Sequence, residues 1–152
     1  MIEYTCIPFN KLTINELYDI MVLRQEIFVV EQNCPFLDAD GKDQAAWHLL
    51  ARDTEGGLVA YTRLLPKGVS YDEYASIGRV ANAQKIRGTG VGKVLMQKSI
   101  EWMAQLFPNE PVKIGAQTYL LTFYSSLGFV STGEEYLEDG IPHTIMILHN
   151  IQ

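Results

Sequence analysis

The stretch "KIRGTGVGKVLMQKSIEW", Lys85–Trp102, alternates glycines at 88, 90 and 92 directly before apolar residues at helical spacing. A loop that opens a helix exposes backbone N–H groups without partners, and the helix dipole adds partial positive charge at the same place. Glycines let the chain turn tightly and let an anion reach those amides with no Cβ in the way. Such a start suits a phosphate or pyrophosphate. Charge placement agrees: from Ala75 to Ile100 there are five basic residues, Arg79, Lys85, Arg87, Lys93 and Lys98, and no acid, although the formal net charge of the chain is −6. The competing reading is a flexible loop with an ordinary glycine-rich helix start.

Outward from this stretch, "ASIGRVA" reads as a strand leading into the glycines. Val91, Val94, Leu95, Trp102, Met103 and Leu106 form one apolar helical face after them. Upstream, "IEYTCI" has strand composition, Thr13 and Glu16 have capping-box spacing, and Leu17, Ile20, Met21, Ile27 and Phe28 predict a helix over about 14–29. "CPFLDADGKD" reads as a loop, and "WHLLAR" and "LVAYTRLL" as a hairpin around "DTEGG". Downstream, "VKIGA" is a strand, "YLLTFYSSLG" a short helix closed by Gly128, and "GFVSTG" and "HTIMIL" the last strands. The class is α/β with a mixed, mainly antiparallel sheet.

With 152 residues, 47% of them hydrophobic, the chain can bury one sizeable core, so residues 1–152 are expected to form a single domain. No repeat or Pro/Gly/Ser-rich linker divides it. No apolar run reaches the roughly 18–20 residues of a membrane span, and "MIEYTCIPFNK" lacks a basic region before an apolar stretch, so a cytoplasmic protein without membrane contact is expected. Cys6 and Cys34 have no CxxC spacing and suggest neither a disulfide framework nor a metal site. The acidic total argues against nucleic acid.

Two rival glycine motifs fail. A P-loop would need Gly where Arg87 stands and Ser or Thr where Val94 stands. The dinucleotide fingerprint would need GxGxxG, whereas the chain has GxGxG followed by Lys93, and only Glu110 is near the place of the expected ribose acid.

What fits is Arg/Gln-x-x-Gly-x-Gly/Ala, met by Arg87, Gly90 and Gly92 in "RGTGVG". Here the sequence resembles the GCN5-related N-acetyltransferase (GNAT) superfamily, whose pyrophosphate loop has this form. A second signature is similar in "QTYLLTFYSSLGF", where Tyr124 stands four residues before Gly128-Phe129; Gln117 occupies a place often held by Asn. "LRQEIFVVEQNCPFLDADGKD", "HLLA", "AYTRLLP", "IGRV", "GAQ" and "EDGIPH" extend the resemblance over nearly the whole chain, to the ElaA-type subgroup. The resemblance implies a GNAT fold, one twisted sheet flanked by about four helices, and acetyl-CoA as acyl donor with no metal. It implies a pantetheine arm along Val80, Ala81 and Asn82, and a pyrophosphate held by Arg87, Gly88, Thr89, Gly90, Val91, Gly92 and Lys93. Gln117, Phe123 and Tyr124 would complete the donor site, with the Val80 N–H on the thioester carbonyl and Tyr124 as proton donor to the leaving thiolate.

Acetyl transfer to an amine needs a neutral nitrogen, so a base is sought for an ammonium with an ordinary pKa of about 10.4. Candidates are His48 in the "WHLLAR" strand, His143 in "DGIPH" and Glu31 in "FVVEQNCP"; Cys34 offers an acetyl-cysteine route. Glu31, Asp38, Asp40 and Asp43 in one loop, and Glu134, Glu135, Glu138 and Asp139 in "GEEYLED", suggest a cationic acceptor, a small-molecule or peptide amine, unless they are solvated loops. Trp47, Phe36 and Tyr136 are candidates for an apolar entrance. Other readings stay open: a non-catalytic acetyl-CoA sensor, an acyl-homoserine-lactone-synthase-like enzyme, and a homodimer through an exposed edge.

Overall fold

The expected strand, glycine loop and helix lie at the centre of the chain in the computed structural model, which describes residues 1–149. Strands β1 (Glu3–Pro8), β2 (Trp47–Arg52), β3 (Leu58–Leu65) and β4 (Ser76–Asn82) pair in sequence order as an antiparallel meander. β5 (Val112–Gln117), β6 (Val130–Glu138) and β7 (Ile141–Leu148) form a second antiparallel sheet with β7 in the middle. Helices α1 (Ile14–Gln25), α2 (Val91–Leu106) and α3 (Leu121–Ser126) connect and cover them.

The α/β class with antiparallel strands holds, but the single expected sheet is split in two. One parallel bridge, Ala75 opposite Val112, joins the halves, with Lys113 N–H donating to the Ala75 carbonyl at 2.9 Å. Beyond it β4 leaves β5. The cause is visible in the register of β3 with β4: Tyr61 faces Ala81 and Arg63 faces Gly78, so Arg79 and Val80 together oppose Thr62. Two residues against one make a β-bulge, which bends its strand and leaves a backbone group outside the ladder. Arg79 takes a left-handed φ of 49° to form it.

Strands β2 and β3 are buried along nearly their whole lengths, which explains why they read as continuous apolar runs. On one face α1 packs Ile20, Leu23 and Ile27 against Leu50, Tyr61 and Ala81. On the other, α2 sets Leu95 on Leu49, Ala51 and Ala60, while Met96 and Met103 share a cluster with Ile77, Ile114 and Met146. Each such side chain contributes about 1.5–3 kcal/mol of transfer free energy. Among the described residues no helix is long and apolar enough to cross a membrane.

Three expectations about helices change. The α1 periodicity continues past 29 through a π-helical turn, Glu26–Glu31, in which Gln32 N–H donates to Ile27 and Cys34 N–H to Val29; its capping box, Thr13 with Glu16, is formed. The buried strip of α2 is Leu95, Met96, Ser99 and Met103, and Val94 is exposed. Ser99 escaped an apolar pattern because it is polar; it is buried through a 2.7 Å hydrogen bond with Thr62 Oγ1 and donation to the Leu95 carbonyl. Three α-helices plus short 3₁₀ turns stand where about four helices were expected.

The loop between α1 and β2 is fixed by ion pairs. Arg24, fully buried on α1, reaches Asp38 and Asp43 at 2.7 Å each. Arg63 on β3 pairs with Asp40 at 2.8 Å and Asp43 at 3.0 Å, and Arg79 at the bulge pairs with Asp38 at 2.8 Å. Three guanidinium groups and three carboxylates cancel. Burial opposes the Asp40 carboxylate, but Arg63 outweighs it and holds the pKa down to about 2; Asp43 is lowered by Arg24 and Arg63 against the same opposition.

His48 lies beneath this network. A carbonyl only accepts, so His48 Nε2–H donates to Asp43 O at 3.0 Å, and Nδ1 accepts from the Tyr61 hydroxyl at 2.6 Å. Burial disfavours the imidazolium more than Asp43 favours it, so the pKa lies below its ordinary 6.5.

Removing one partner of a buried pair leaves an uncompensated charge, so Arg24→Met should cost roughly 3–5 kcal/mol in urea denaturation. A cost under about 1 kcal/mol would mean water reaches Asp38 and Asp43. A second prediction concerns pH. Above pH 6.5 His48 is neutral folded or unfolded; below it the unfolded chain takes a proton that the fold refuses, so stability falls with pH. His48→Gln should be less stable at pH 7 yet lack that part of the slope between pH about 6.5 and 5. The aspartates act in a separate window: their contribution is complete above the unfolded value of 3.8 and is lost as pH falls toward 2.

Candidate functional site

Where β4 leaves β5, a cleft of about 470 Å³ opens. One wall is Ile77–Val80 and Asn82, the other Ile114–Gln117; α1 and its loop close one end, and the start of α2 and the α3 segment close others. Gly78 and Gly115 face the gap from opposite strands. Glycine inside a strand marks a bulge or a close approach of backbone to another group, and these two were the sequence's signal for the opening.

At one end of the cleft stands the glycine loop. Gly88 and Gly90 adopt φ of 79° and 89°, and Gly90 is the N-cap of α2 with no side chain capping it. Among the described residues the N–H groups of Gly88, Gly90, Gly92 and Lys93 reach no protein acceptor. The loop is held from behind, by Thr89 on the Ile86 carbonyl and by the Arg87 guanidinium on the Asn82 carbonyl at 2.9 and 3.2 Å. Asn82 Oδ1 is buried without a partner beside Gly92. The arrangement is an anion cradle with its donors turned outward.

The local positive field is narrower than five basic residues suggest. Arg79 belongs to the internal network, Lys85 pairs with Asp53 at 3.0 Å, and Arg87 is clamped by Glu31 at 2.8 and 3.0 Å. Lys93 alone of the loop's cations has no acid beside it among the described residues, and Lys98 lies over the Tyr4 ring.

Across the cleft, Tyr124 is 6% exposed on α3. Phe129 N–H donates to Tyr124 O and Gly128 N–H to Ser125 O, the paired bonds of a Schellman cap, with Gly128 at φ 102°. This cap turns the chain so that Phe123 and Phe129 meet the Tyr124 ring edge-on at 5.2 and 6.0 Å. Burial, with a smaller contribution from Tyr119, pushes the phenol up to about 12, so it stays protonated at neutral pH. Its hydroxyl has no protein partner among the described residues and the residue lines the cleft.

The candidate bases separate. His48 is sealed, with both ring nitrogens spent, and is not on the cleft wall. Glu31 lines the cleft but is held by Arg87. Cys34 lines it too, with Sγ toward the carbonyls of Gln32 and Asp139. His143 lines it with Nδ1 2.7 Å from the Ile141 carbonyl. Val80, Asn82, Arg87, Gly88, Gly92, Gln117, Phe123 and Tyr124 all line this cleft, whereas Ala81, Thr89, Gly90, Val91 and Lys93 of the expected donor site do not.

The acids of the 31–43 loop do not face an acceptor: Asp38, Asp40 and Asp43 neutralise arginines, and Glu31 pairs with Arg87. Of the proposed apolar entrance, Phe36 lines the cleft, Trp47 packs into the core, and Tyr136 stacks on His143 at 5.3 Å. Sequence reasoning missed the Arg24, Arg63 and Arg79 anchors, because nothing in spacing alone assigns partners 14 to 41 residues away.

Residues 38–149 match the model of the acetyltransferase (GNAT) domain family. Protein ElaA of Escherichia coli is 42% identical over the full length of this chain and 99% of its own. A UPF0039 protein of Synechocystis is 41% identical over 91% of this chain and 90% of its own. The crystal structure of Escherichia coli ElaA superposes with a TM-score of 0.90 at 41% identity, covering 97% of this chain and 99% of that one. An acyl-CoA N-acyltransferase from Pseudomonas aeruginosa gives the same score at 40% identity, with 97% and 99% covered. Taken with the outward amides of "RGTGVG" and the cleft between diverging strands, these matches place the chain in the GNAT acetyltransferase family, among its ElaA-type members.

Proposed function

We propose that the chain transfers an acetyl group from acetyl-CoA to a primary amine by direct attack. The carrying observation is that Gly88 and Gly92, whose N–H groups reach no acceptor among the described residues, and the Tyr124 hydroxyl bound one cleft. The diphosphate of CoA sits on those amides with Lys93 beside it, and the pantetheine arm extends along Val80, Ala81 and Asn82. Asn82 Oδ1, a buried acceptor lacking a donor, meets an amide N–H of that arm. The Arg79–Val80 bulge turns a backbone N–H toward the thioester oxygen, where negative charge grows in the transition state.

The amine nitrogen attacks the thioester carbon, the C–N bond forms and the C–S bond breaks. Tyr124 donates its hydrogen bond, then its proton, to the leaving sulfur, and recovers a proton that the new amide nitrogen sheds. A phenol pushed up to about 12 gives up its proton only as negative charge builds on the departing sulfur, and the phenolate then recovers a proton from the far more acidic protonated amide nitrogen, so Tyr124 ends as it began. Cys34 faces carbonyls rather than a base that would take its proton, which supports direct transfer over an acetyl-cysteine. The products are an N-acetyl amine and free CoA thiol.

Gly90→Val forces a β-branched residue into φ near 89° and fills the anion's approach. Loss of about two charge-assisted bonds should weaken acetyl-CoA binding by roughly 100-fold in calorimetry; unchanged affinity would remove the loop from the donor site. Tyr124→Phe should bind acetyl-CoA within a few-fold of wild type and release thiol about 100-fold more slowly, and equal rates would end its role as acid. A thiol-release panel of polyamines, amino acids, aminoglycosides and lysine peptides tests the reaction itself. Binding without release across the panel would point to a sensor, and turnover only with S-adenosylmethionine to a synthase.

A further inference from the structure

We propose that His143 is the base that takes the proton from a cationic acceptor amine, and that Glu138 beside it draws that cation into the cleft. This deepens the transferase reading and rests on it. Of the histidines in the described residues, His143 alone lines the cleft. Its Nδ1 lies 2.7 Å from the Ile141 carbonyl, which can only accept, so the hydrogen is on Nδ1 and the lone pair on Nε2. Nε2 is 3.8 Å from Glu138 Oε2, and among the described residues no protein donor reaches it. The Glu138 carboxylate thus stands beside the nitrogen that would take the proton.

The ring is held in place. Gln117, His143 and Tyr136 stand in one row across β5, β7 and β6. Tyr136 stacks on the imidazole, and its hydroxyl occupies the space above Gly115 that a Cβ would fill. The neighbouring row, with Ala116 and Thr144, turns toward the opposite face, where Ala116 joins the core with Met96 of α2 and Tyr124 of α3. His143 therefore approaches the gap from the face opposite that core, which lets donor and acceptor meet inside the split between the strands.

The charge at this mouth differs from that of the 31–43 loop. Tyr136 and Glu138 face His143 from β6, uncharged Gln117 from β5, and Cys34 and Asp139 share the cleft wall. Glu134 and Glu138 act on Tyr136 and on Tyr71 of the β3–β4 connection. Among the described residues, Glu134, Glu138 and Asp139 pair with no lysine or arginine. These carboxylates are available to an incoming ammonium, as the ion-paired Asp38, Asp40 and Asp43 are not.

The protons balance. An ammonium held by Glu138 passes one proton to His143 Nε2 and becomes a neutral amine. That amine attacks the thioester carbon, C–N forms, C–S breaks, and sulfur leaves as thiol through Tyr124. The proton on His143 goes to water, so the net products are N-acetyl amine, CoA thiol and one proton.

The test compares spermidine, a cationic amine, with hydroxylamine, which is already neutral at pH 7 and needs no base. Calorimetry should show that wild type and His143→Gln bind acetyl-CoA alike. Thiol release with spermidine should fall about 100-fold in the variant, and its rise with pH should move upward toward the amine's own range of about 10. Release with hydroxylamine should change only a few-fold. Glu138→Gln should raise the KM for spermidine more than it lowers kcat. Nitrogen-15 spectra of histidine-labelled protein at pH 8 should show His143 protonated on Nδ1 alone. Equal loss with both nucleophiles, an unmoved pH profile, inactivity of wild type toward both with acetyl-CoA bound, or a proton on Nε2 would each overturn the assignment. Absence of acetyl-CoA binding is instead the failure of the donor reading, and the nitrogen spectra then still decide where the lone pair lies.

Discussion

The bulge at Arg79–Val80 is the constraint on which the rest of the molecule depends. A sheet of seven strands with regular pairing throughout would have no opening, and β4 and β5 would share a full ladder as β2 and β3 do. One extra residue in β4 redirects the strand, and among the described residues the ladders remain joined only at the Ala75–Val112 bridge. A left-handed φ on an arginine is unfavourable by itself. It persists because the Arg79 guanidinium is drawn to Asp38, which is in turn fixed by Arg24 from α1. The backbone irregularity and the ion network are thus one device.

That network is better understood as positioning than as net stability. Taking these six charged groups wholly or, for Arg79 and Asp40, partly out of water costs about as much as their attraction returns, so an apolar replacement of similar shape would be no less stable. What apolar side chains lack is direction. A bidentate Arg63 contact fixes Asp40, and two guanidinium groups hold each of Asp38 and Asp43, and with them the loop that carries Cys34, Phe36 and Leu37 along the cleft wall. His48 and Tyr61 complete the support from below by hydrogen bonds, which explains a histidine buried where no chemistry reaches it.

The sequence was most legible where a local rule decides conformation. The capping box at Thr13 and Glu16, the hairpin at "DTEGG", the glycines at 88, 90 and 128 and the continuous apolar runs of β2 and β3 depend on neighbours within a few residues. It was least legible where partners are distant. Asp38, Asp40 and Asp43 look like a free acidic loop until Arg24, Arg63 and Arg79 arrive from three other elements. The buried Ser99 fails an apolar count because its partner, Thr62, lies 37 residues away. The resemblance carried the proposed donor residues, and "DGIPH" offered His143 as a candidate base, whereas its setting between Gln117 and Tyr136 required the register of β5, β7 and β6.

Two protonation problems in the proposed transfer give the divergence of β4 and β5 its chemical sense. A thiolate needs a donor and an ammonium needs an acceptor, and one side chain cannot serve both at neutral pH without exchanging with water between steps. Tyr124 stays protonated through burial among aromatic rings on the α3 side, an environment that would expel an imidazolium. His143 needs the reverse, a polar mouth with a carboxylate nearby, and finds it on the other face of β7. A closed sheet would have to bring both environments to one surface. In the proposed reaction diverging strands would let an apolar pocket and an acidic entrance approach the same carbonyl carbon from opposite directions, so the split in the sheet would keep the two proton transfers apart in space as well as in chemistry.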